Sequence, residues 1–403
     1  MNMLADNGQQ VDYIETQVAF EEYCRSWLAS PVIALDTEFV RTNTFYPKLG
    51  LLQIADEKQC YLIDPLKITN WDCFVAVLLN PVREIVLHSG GEDLITLLMV
   101  LGQLPETFFD TQIASAYAGL GFSKSYQALV QEITGRNLPK DQTRSDWLKR
   151  PLSESQLKYA ADDVCYLLPI FRELNARLGE RNYIGFLKED AKAQVENTKL
   201  CEQSKYWELA YTGVSNSWRL NNRALACLQR LCAWRERQAR KKDLPRSWIA
   251  KDSDLLVIAQ LVREQRNLNM RELHGCAVSE SALVRKNGEE IIRLVNSPPD
   301  FSLINRSLLT LPLSASLRAM IKGFRETVQR HAKQMDIAPE LLARKKQIVA
   351  VAQEMERGSN LIWPPELRGW RGDRLAIDFL EVASNFDSKG FIGDGNEPLR
   401  TKF

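Results

Sequence analysis

The alternation of apolar and polar positions follows two rhythms along the chain. Through the first 180 residues, short apolar runs stand between stretches with helical spacing. Val32, Ile33 and Leu35 suit a strand buried on both faces. The runs 51–55 and 60–63 flank the polar turn Asp56-Glu57-Lys58-Gln59 and predict a hairpin, which with 33–39 makes a three-stranded core. A further strand is predicted over 84–88. Helical spacing predicts a helix over 16–28, carried by Val18, Phe20, Tyr23, Cys24, Trp27 and Leu28, and another over 92–101. A third begins after Asp110, which suits an N-cap. The box Ser153-x-x-Gln156 opens a long helix to about 178, kinked at Pro169. Strands early and helices later predict an α/β layer structure, a mixed sheet flanked by helices.

After Lys199 strand signals fade and the pattern becomes helical throughout, rich in arginine and lysine. Sliding this part by about 93 residues superposes it on itself. Asp243-Leu244 falls on Asp336-Ile337 and Ala250-Lys251 on Ala343-Arg344. With one inserted residue, Glu272-Leu273-His274-Gly275 falls on Glu366-Leu367-Arg368-Gly369. Two copies of one small helical domain follow, with Pro298-Pro299 between them. The expected divisions are 1–200, 210–297, 302–385 and a polar tail over 386–403.

Composition narrows the classes. The chain has 403 residues, 45% hydrophobic and 26% charged, as in ordinary globular proteins. A net charge of +1 excludes a globally basic nucleic-acid binder, so any phosphate-binding surface must be local. Eight scattered cysteines without a Cys-x-x-Cys pair, and only three histidines, argue against zinc and for a reduced, cytoplasmic compartment. The longest apolar run, 94–101, is too short to span a membrane, and residues 1–11 lack the layout of a secretory signal.

Candidate chemistry lies where apolar segments end in acids. In extended chain Asp36 and Glu38 project to the same side while Thr37 points away. Two carboxylates this close repel unless a cation or a shared proton lies between them, so the pair reads as half of a hard-metal site. Taken alone, Asp-x-Glu at a strand end is equally well solvated loop chemistry. Glu92 and Asp93 follow Gly90-Gly91 in a first helical turn, where acids suit the helix dipole or can reach into a site. Tyr159 and Asp163, four apart, are neighbours on one helix face beside an apolar stripe; they read as boundary residues or as a phenol–carboxylate pair. Two loops interleave aromatics with cations: 41–48 with Phe45 and Tyr46, and 135–152 with Lys140, Arg144, Lys149, Arg150 and Trp147. Such loops are ordinary solvated surface, or they grip single-stranded nucleic acid.

Together, Leu35-Asp36-Thr37-Glu38-Phe39, His88-Ser89-Gly90-Gly91-Glu92-Asp93-Leu94 and Tyr159-Ala160-Ala161-Asp162-Asp163-Val164 resemble the three motifs of the DEDD superfamily of 3′–5′ exonucleases, in its tyrosine branch. The run Ser145-Asp146-Trp147-Leu148-Lys149-Arg150-Pro151-Leu152 before the third motif narrows the resemblance to RNA-trimming members. The helical repeats are similar to HRDC domains, so the resemblance spans nearly the whole chain. It implies a ribonuclease-H-like exonuclease domain followed by two all-α HRDC-like domains. It further implies that Asp36, Glu38, Asp93 and Asp163 hold two divalent ions, Mg²⁺ or Mn²⁺, and that Tyr159 orients the attacking water. The implied reaction releases nucleoside 5′-monophosphates from RNA 3′ ends, with tRNA precursors carrying 3′ extensions as substrates and a monomeric protein off the membrane. Phe45, Tyr46, Lys140, Arg144, Trp147, Arg235 and Arg240 are the candidates for holding RNA. Alternatives are a DNA 3′–5′ exonuclease and an RNA-binding module without catalysis; the complete set of acids argues against the second. A helicase accessory lacks a Gly-x-x-x-x-Gly-Lys-Ser/Thr loop here.

Overall fold

The computed structural model describes residues 3–138, 145–262, 267–276, 282–358, 361 and 363–387. By their contacts the residues fall into two units, one of Met1–Val40, Lys48–Glu196 and Leu313–Phe403, the other of Arg41–Pro47 and Asn197–Pro312.

The first unit is built on a seven-stranded mixed sheet. Its strands are β1 (Met3–Leu4), β2 (Gln10–Ile14), β3 (Val32–Val40), β4 (Lys48–Ala55), β5 (Cys60–Ile63), β6 (Glu84–Leu87) and β7 (Phe109–Asp110), in spatial order β1-β2-β5-β4-β3-β6-β7. The expected three-stranded core is present, with β3–β4 and β4–β5 antiparallel. Strand β2, parallel to β5, falls in a segment that reads as polar; only Val11 and Ile14 of its five residues are buried, too few to mark a strand.

Strand alternation sorts the core into two layers. Ile33, Leu35, Leu52, Ile54, Tyr61 and Ile63 face one way, against α1 (Gln17–Trp27), α2 (Asp72–Leu78) and α3 (Gly91–Leu101). Ala34, Leu51, Ala55 and Leu62 face the other, in one core with α4 (Thr111–Tyr117), α5 (Tyr126–Thr134), α6 (Glu154–Cys165) and α7 (Leu167–Arg181). The long helix expected to reach about 178 with a kink at Pro169 is two helices. Pro169 has no N–H to continue the ladder, and the chain breaks at Tyr166. Helix α8 (Ile184–Cys201) leads out of this unit.

The second unit is helical: α9 (Ser204–Trp207), α10 (Asn222–Lys242), α11 (Arg246–Ile249), α12 (Asp252–Gln260), α13 (Met270–Gly275) and α14 (Ala282–Asn296). The chain then returns to the first unit with α15 (Ala315–Met335), α16 (Pro339–Leu342), α17 (Lys345–Gly358) and α18 (Trp370–Asp387). The repeat read from the sequence is visible in the backbone. Helices α10 and α15 each have 21 residues, and each ends in a left-handed aspartate, Asp243 at φ 48° and Asp336 at φ 50°.

The second copy packs on the sheet-bearing part, and its apolar residues join the same core as α4–α7. Phe186 stacks on Trp370 with ring centroids 4.2 Å apart. Arg371 bonds both carboxylate oxygens of Asp190, which also accepts from the Tyr117 hydroxyl at 2.7 Å. No helix among the described residues is long and apolar enough to cross a membrane.

Candidate active site

Strand β3 presents Asp36 and Glu38 on the face that α6 covers, and α6 supplies Asp163 from the same side. One carboxylate oxygen from each of the three lies within 4.8 Å of the others. Asp93 comes from the opposite layer, at the start of α3. Thr37, pointing away from Asp36 as strand alternation requires, meets it there: Asp93 Oδ1 accepts from the Thr37 N–H at 3.1 Å and from the Thr37 hydroxyl at 2.5 Å. Asp93 is 7% exposed and lies outside the three-acid group. Its charge nonetheless reaches Asp36 and Glu38 and raises both their pKa values.

The electrostatics are those of acids lacking a counter-charge. Among the described residues, no lysine or arginine pairs with any of the four. Burial first, then the charges of Asp93, Asp163 and Glu38, hold the Asp36 carboxyl well above the usual range. Burial and the charges of Asp163 and Asp93 push Glu38 up to about 9. Burial lifts Asp163 to about 7 against a hydrogen bond from Tyr159, and lifts Asp93 to about 6 against the bonds from Thr37. Three convergent oxygen ligands that repel one another without a cation fit a hard divalent ion. Each of the three keeps part of its surface open to solvent.

Tyr159, one turn before Asp163, donates to that carboxylate. Burial and the surrounding acids raise its own pKa, so the phenol stays protonated. Behind it stands Trp147, with ring centroids 6.2 Å apart. Trp147 is 2% exposed, which removes it from the candidates for stacking RNA bases; it supports Tyr159 instead. Its backbone presses on Gly50 of β4, where a Cβ would lie 2.6 Å from Trp147 Cβ and 2.7 Å from its carbonyl oxygen. Arg150 fastens the loop, bonding the Trp147 carbonyl at 2.8 Å, the Gly50 carbonyl at 2.7 Å and both oxygens of Asp64.

Other expectations change with the coordinates. The Gly90 backbone approaches the Leu87 side chain, 2.8 Å from a hypothetical Cβ. The turn is held by Asp110, which caps α4 as expected and also accepts from the N–H groups of Ser89 and Gly90. Phe45 is 5% exposed and, with Tyr46, packs in the helical unit. Arg235 is 6% exposed and bonds Asp252 and the Ala250 carbonyl, while Arg240 is bonded by Glu202 and Glu236. None of these four side chains is free to hold RNA, because each already has an internal partner. Lys140 and Arg144 lie outside the described residues.

One residue that the motifs passed over belongs in the description. Gln53 of β4 pairs in register with Asp36, so its side chain lies on the acid-bearing face. It is fully buried, and neither its Nε2 nor its Oε1 has a hydrogen-bond partner. Buried amides without partners are rare and costly. Its only signal in the sequence is one polar residue inside the apolar run 51–55.

A mixed sheet with a strand that brings two carboxylates to a third on a covering helix, beside a phenol, is an arrangement able to hold a divalent cation and fits the class of 3′–5′ exonucleases. Comparison with known proteins agrees. A 3′–5′ exonuclease family model matches residues 11–179, and an HRDC domain model matches 224–295. Ribonuclease D of Pseudomonas paraeruginosa is 38% identical over 374 residues, covering 93% of this chain and 97% of that protein. Ribonuclease D of Escherichia coli is 35% identical over 371 residues, covering 90% and 96%. The crystal structure of Escherichia coli RNase D, described as an exoribonuclease involved in structured RNA processing, superposes with a TM-score of 0.79 over 93% of this chain and 98% of that one. The chain belongs to the ribonuclease D family of 3′–5′ exoribonucleases.

Proposed function

We propose that this protein shortens RNA one nucleotide at a time from the 3′ end, releasing nucleoside 5′-monophosphates by two-metal-ion hydrolysis. The observation that carries the reading is the convergence of Asp36, Glu38 and Asp163 oxygens within 4.8 Å beside a protonated Tyr159. Asp36, Glu38 and Asp163 would hold one divalent ion, Mg²⁺ or Mn²⁺, and Asp36 with Asp93 the other. Two such ions, when bound, supply an acidified water and neutralise charge on both sides of an in-line displacement at phosphorus. The Tyr159 hydroxyl, which keeps its proton, orients the attacking water and leaves proton acceptance to the carboxylates. Thr37 fixes the rotamer of Asp93, and Trp147 fixes the ring of Tyr159. Glu38, at the strand end, accepts the terminal 3′-hydroxyl and makes the enzyme end-specific.

The substrates in this reading are tRNA precursors with 3′ extensions, processed in the cytoplasm by a monomer. The relatives' ribonuclease activity and the structured-RNA role printed for the Escherichia coli enzyme support it. The division into an exonuclease domain over 1–200 and helical copies over 210–297 and 302–385 is part of the same reading. In the first copy, Arg237, Lys241, Lys242 and Trp248 are exposed and suit the body of a folded RNA.

A 5′-labelled RNA with a 3′ extension, incubated with and without divalent metal, tests the activity. Stepwise shortening that EDTA stops, and that Asp163→Asn abolishes with RNA affinity retained, is the expected result. A DNA strand of matched sequence degraded faster than the RNA would favour the deoxyribonuclease alternative. Endonucleolytic products, or shortening unaffected by EDTA, would refute the proposal.

A further inference from the structure

The acid-bearing face of the sheet holds one amide that packing alone does not explain. Gln53 is fully buried, and among the described residues neither its Nε2 nor its Oε1 has a hydrogen-bond partner. Asp36 stands directly across from it on β3, and Leu62 on β5. Side chains opposite one another in an antiparallel pair start from Cβ atoms about 4.5–5.5 Å apart, a gap that a glutamine spans. Its other neighbours on this face are Leu51 and Ala55 on its own strand, with Ala34 and Glu38 diagonally across on β3. Helix α6 covers this layer with the buried Leu157, Ala160, Ala161 and Val164. The buried acid of that helix, Asp162, is already engaged, accepting from the Asp6 N–H at 2.7 Å. Of the strand neighbours, the side chains able to meet the amide are Asp36 and Glu38, and Asp36 is the one directly opposite.

An unpaired buried amide costs stability, so a fold keeps one where it serves another group. The remaining acids show what that service is. Asp93 is oriented by the Thr37 N–H and hydroxyl, and Asp163 by the Tyr159 hydroxyl. Gln53 is the side chain placed to do the same for Asp36. An amide also suits this place better than a lysine or arginine. It donates a hydrogen bond without adding positive charge, so it orients a carboxylate and leaves undiminished the negative charge that attracts a divalent ion. Turning it needs no movement of the strand, because the terminal torsion of glutamine is broad.

We propose that Gln53 is a positioning residue for Asp36. Its Nε2 donates to the Asp36 carboxylate and fixes the plane in which that acid presents its oxygens to a divalent ion. The inference rests on the reading of Asp36 as a metal ligand given above. Asp36 is where such a bond matters most, since in that reading it is shared between the two ions. Side chains that orient a metal ligand in this way carry about ten- to a hundredfold in metal affinity or activity.

The test measures metal binding by the full chain without RNA. Mn²⁺ is titrated by calorimetry into wild type, Gln53→Met and Asp163→Asn, and the melting of each is followed in EDTA. Gln53→Met, unbranched and of similar length, should weaken Mn²⁺ binding about ten- to a hundredfold. Its metal-free Tm should hold or rise, because an unpaired buried amide is gone. On a single-stranded RNA at saturating Mn²⁺, kcat should fall severalfold with KM for the RNA within about twofold. A purely structural amide gives the reverse, a lower metal-free Tm with Mn²⁺ affinity unchanged. If Gln53→Met does not fold, Gln53→Leu is read in the same way. Unchanged Mn²⁺ affinity, or a metal-free Tm below that of wild type, overturns the positioning role. Asp163→Asn is the parallel control. If it binds Mn²⁺ as tightly as wild type, the site assignment itself fails. If it binds weakly while Gln53→Met binds normally, the positioning role alone falls and the assignment stands.

Discussion

Replacing Asp163 with asparagine should stabilise the metal-free protein while removing its activity. In the absence of a cation, burial first, and then the charge of Asp162, lifts the half-buried Asp163 carboxyl from 3.8 to about 7 against the hydrogen bond from Tyr159. A folded pKa above the unfolded one means that the folded state holds the proton more tightly. The carboxyl therefore costs nothing below about pH 4, and its penalty grows as pH rises towards 7 and is complete above it. A change from 3.8 to about 7 corresponds to roughly 4 kcal/mol at ~1.4 kcal/mol per decade of proton affinity. Because Asp163 titrates together with the neighbouring acids, about 2–4 kcal/mol is the range to expect from removing one charge. Asparagine keeps the shape and still accepts the Tyr159 bond, so little packing is lost. At ~2–4 °C per kcal/mol for a domain of ordinary size, the variant should melt several degrees above wild type at pH 8 in EDTA, and level with it at pH 4. Excess Mg²⁺ or Mn²⁺ should raise the wild-type Tm at pH 8 and move that of the variant much less. Scanning calorimetry at the two pH values, with and without metal, reads all of this. A variant no more stable than wild type at pH 8, or one with the same difference at both pH values, would refute the account of the acids as an uncompensated cluster.

Three further outcomes follow from single residues. Gln53→Leu removes a buried amide that has no partner, so the metal-free Tm should hold or rise, by ~1 kcal/mol in stability; turnover should fall severalfold if the amide serves Asp36, and unchanged turnover would assign it no part in the site. Gly50→Ala places a Cβ 2.6 Å from Trp147 Cβ; chemical denaturation should show a loss of about 1–3 kcal/mol, and turnover should drop as Trp147 shifts from Tyr159. Trp248→Ala, at a side chain 61% exposed, should raise KM for structured RNA about tenfold, as expected for losing one stacked base, with kcat on a short single strand unchanged; equal KM values would remove Trp248 from the RNA-binding surface.

The placement of Asp36, Glu38, Tyr159 and Asp163 was legible because it is tied to local rules. Period-two geometry puts Asp36 and Glu38 on one face, and the four-residue helical step puts Tyr159 beside Asp163; neither depends on what packs around them. Phe45, Arg240 and Trp147 were misread for the opposite reason. An aromatic beside a cation looks the same in sequence whether the ring meets a nucleobase or the protein's own side chains, since its flat face can serve either contact. Only tertiary packing separates the cases, and it turned all three inward. Gln53 was invisible because one polar residue in an apolar run names no partner. The repeat was legible from its spacing, yet nothing local distinguishes the copy whose apolar residues join the sheet-bearing core, because an amphipathic helix does not specify its cover.

The stacking of Phe186 on Trp370 and the bonding of Asp190 by Arg371 tie the sheet-bearing part to the C-terminal helices. A gene shortened to end at the last helix of the sheet-bearing part would expose Tyr117, Tyr183 and Phe186 to water and deprive Asp190 of its cation. Such a fragment would keep Asp36, Glu38, Asp93 and Asp163 and still be prone to aggregation. In this chain the boundary of the motif and the boundary of the stable object are different places.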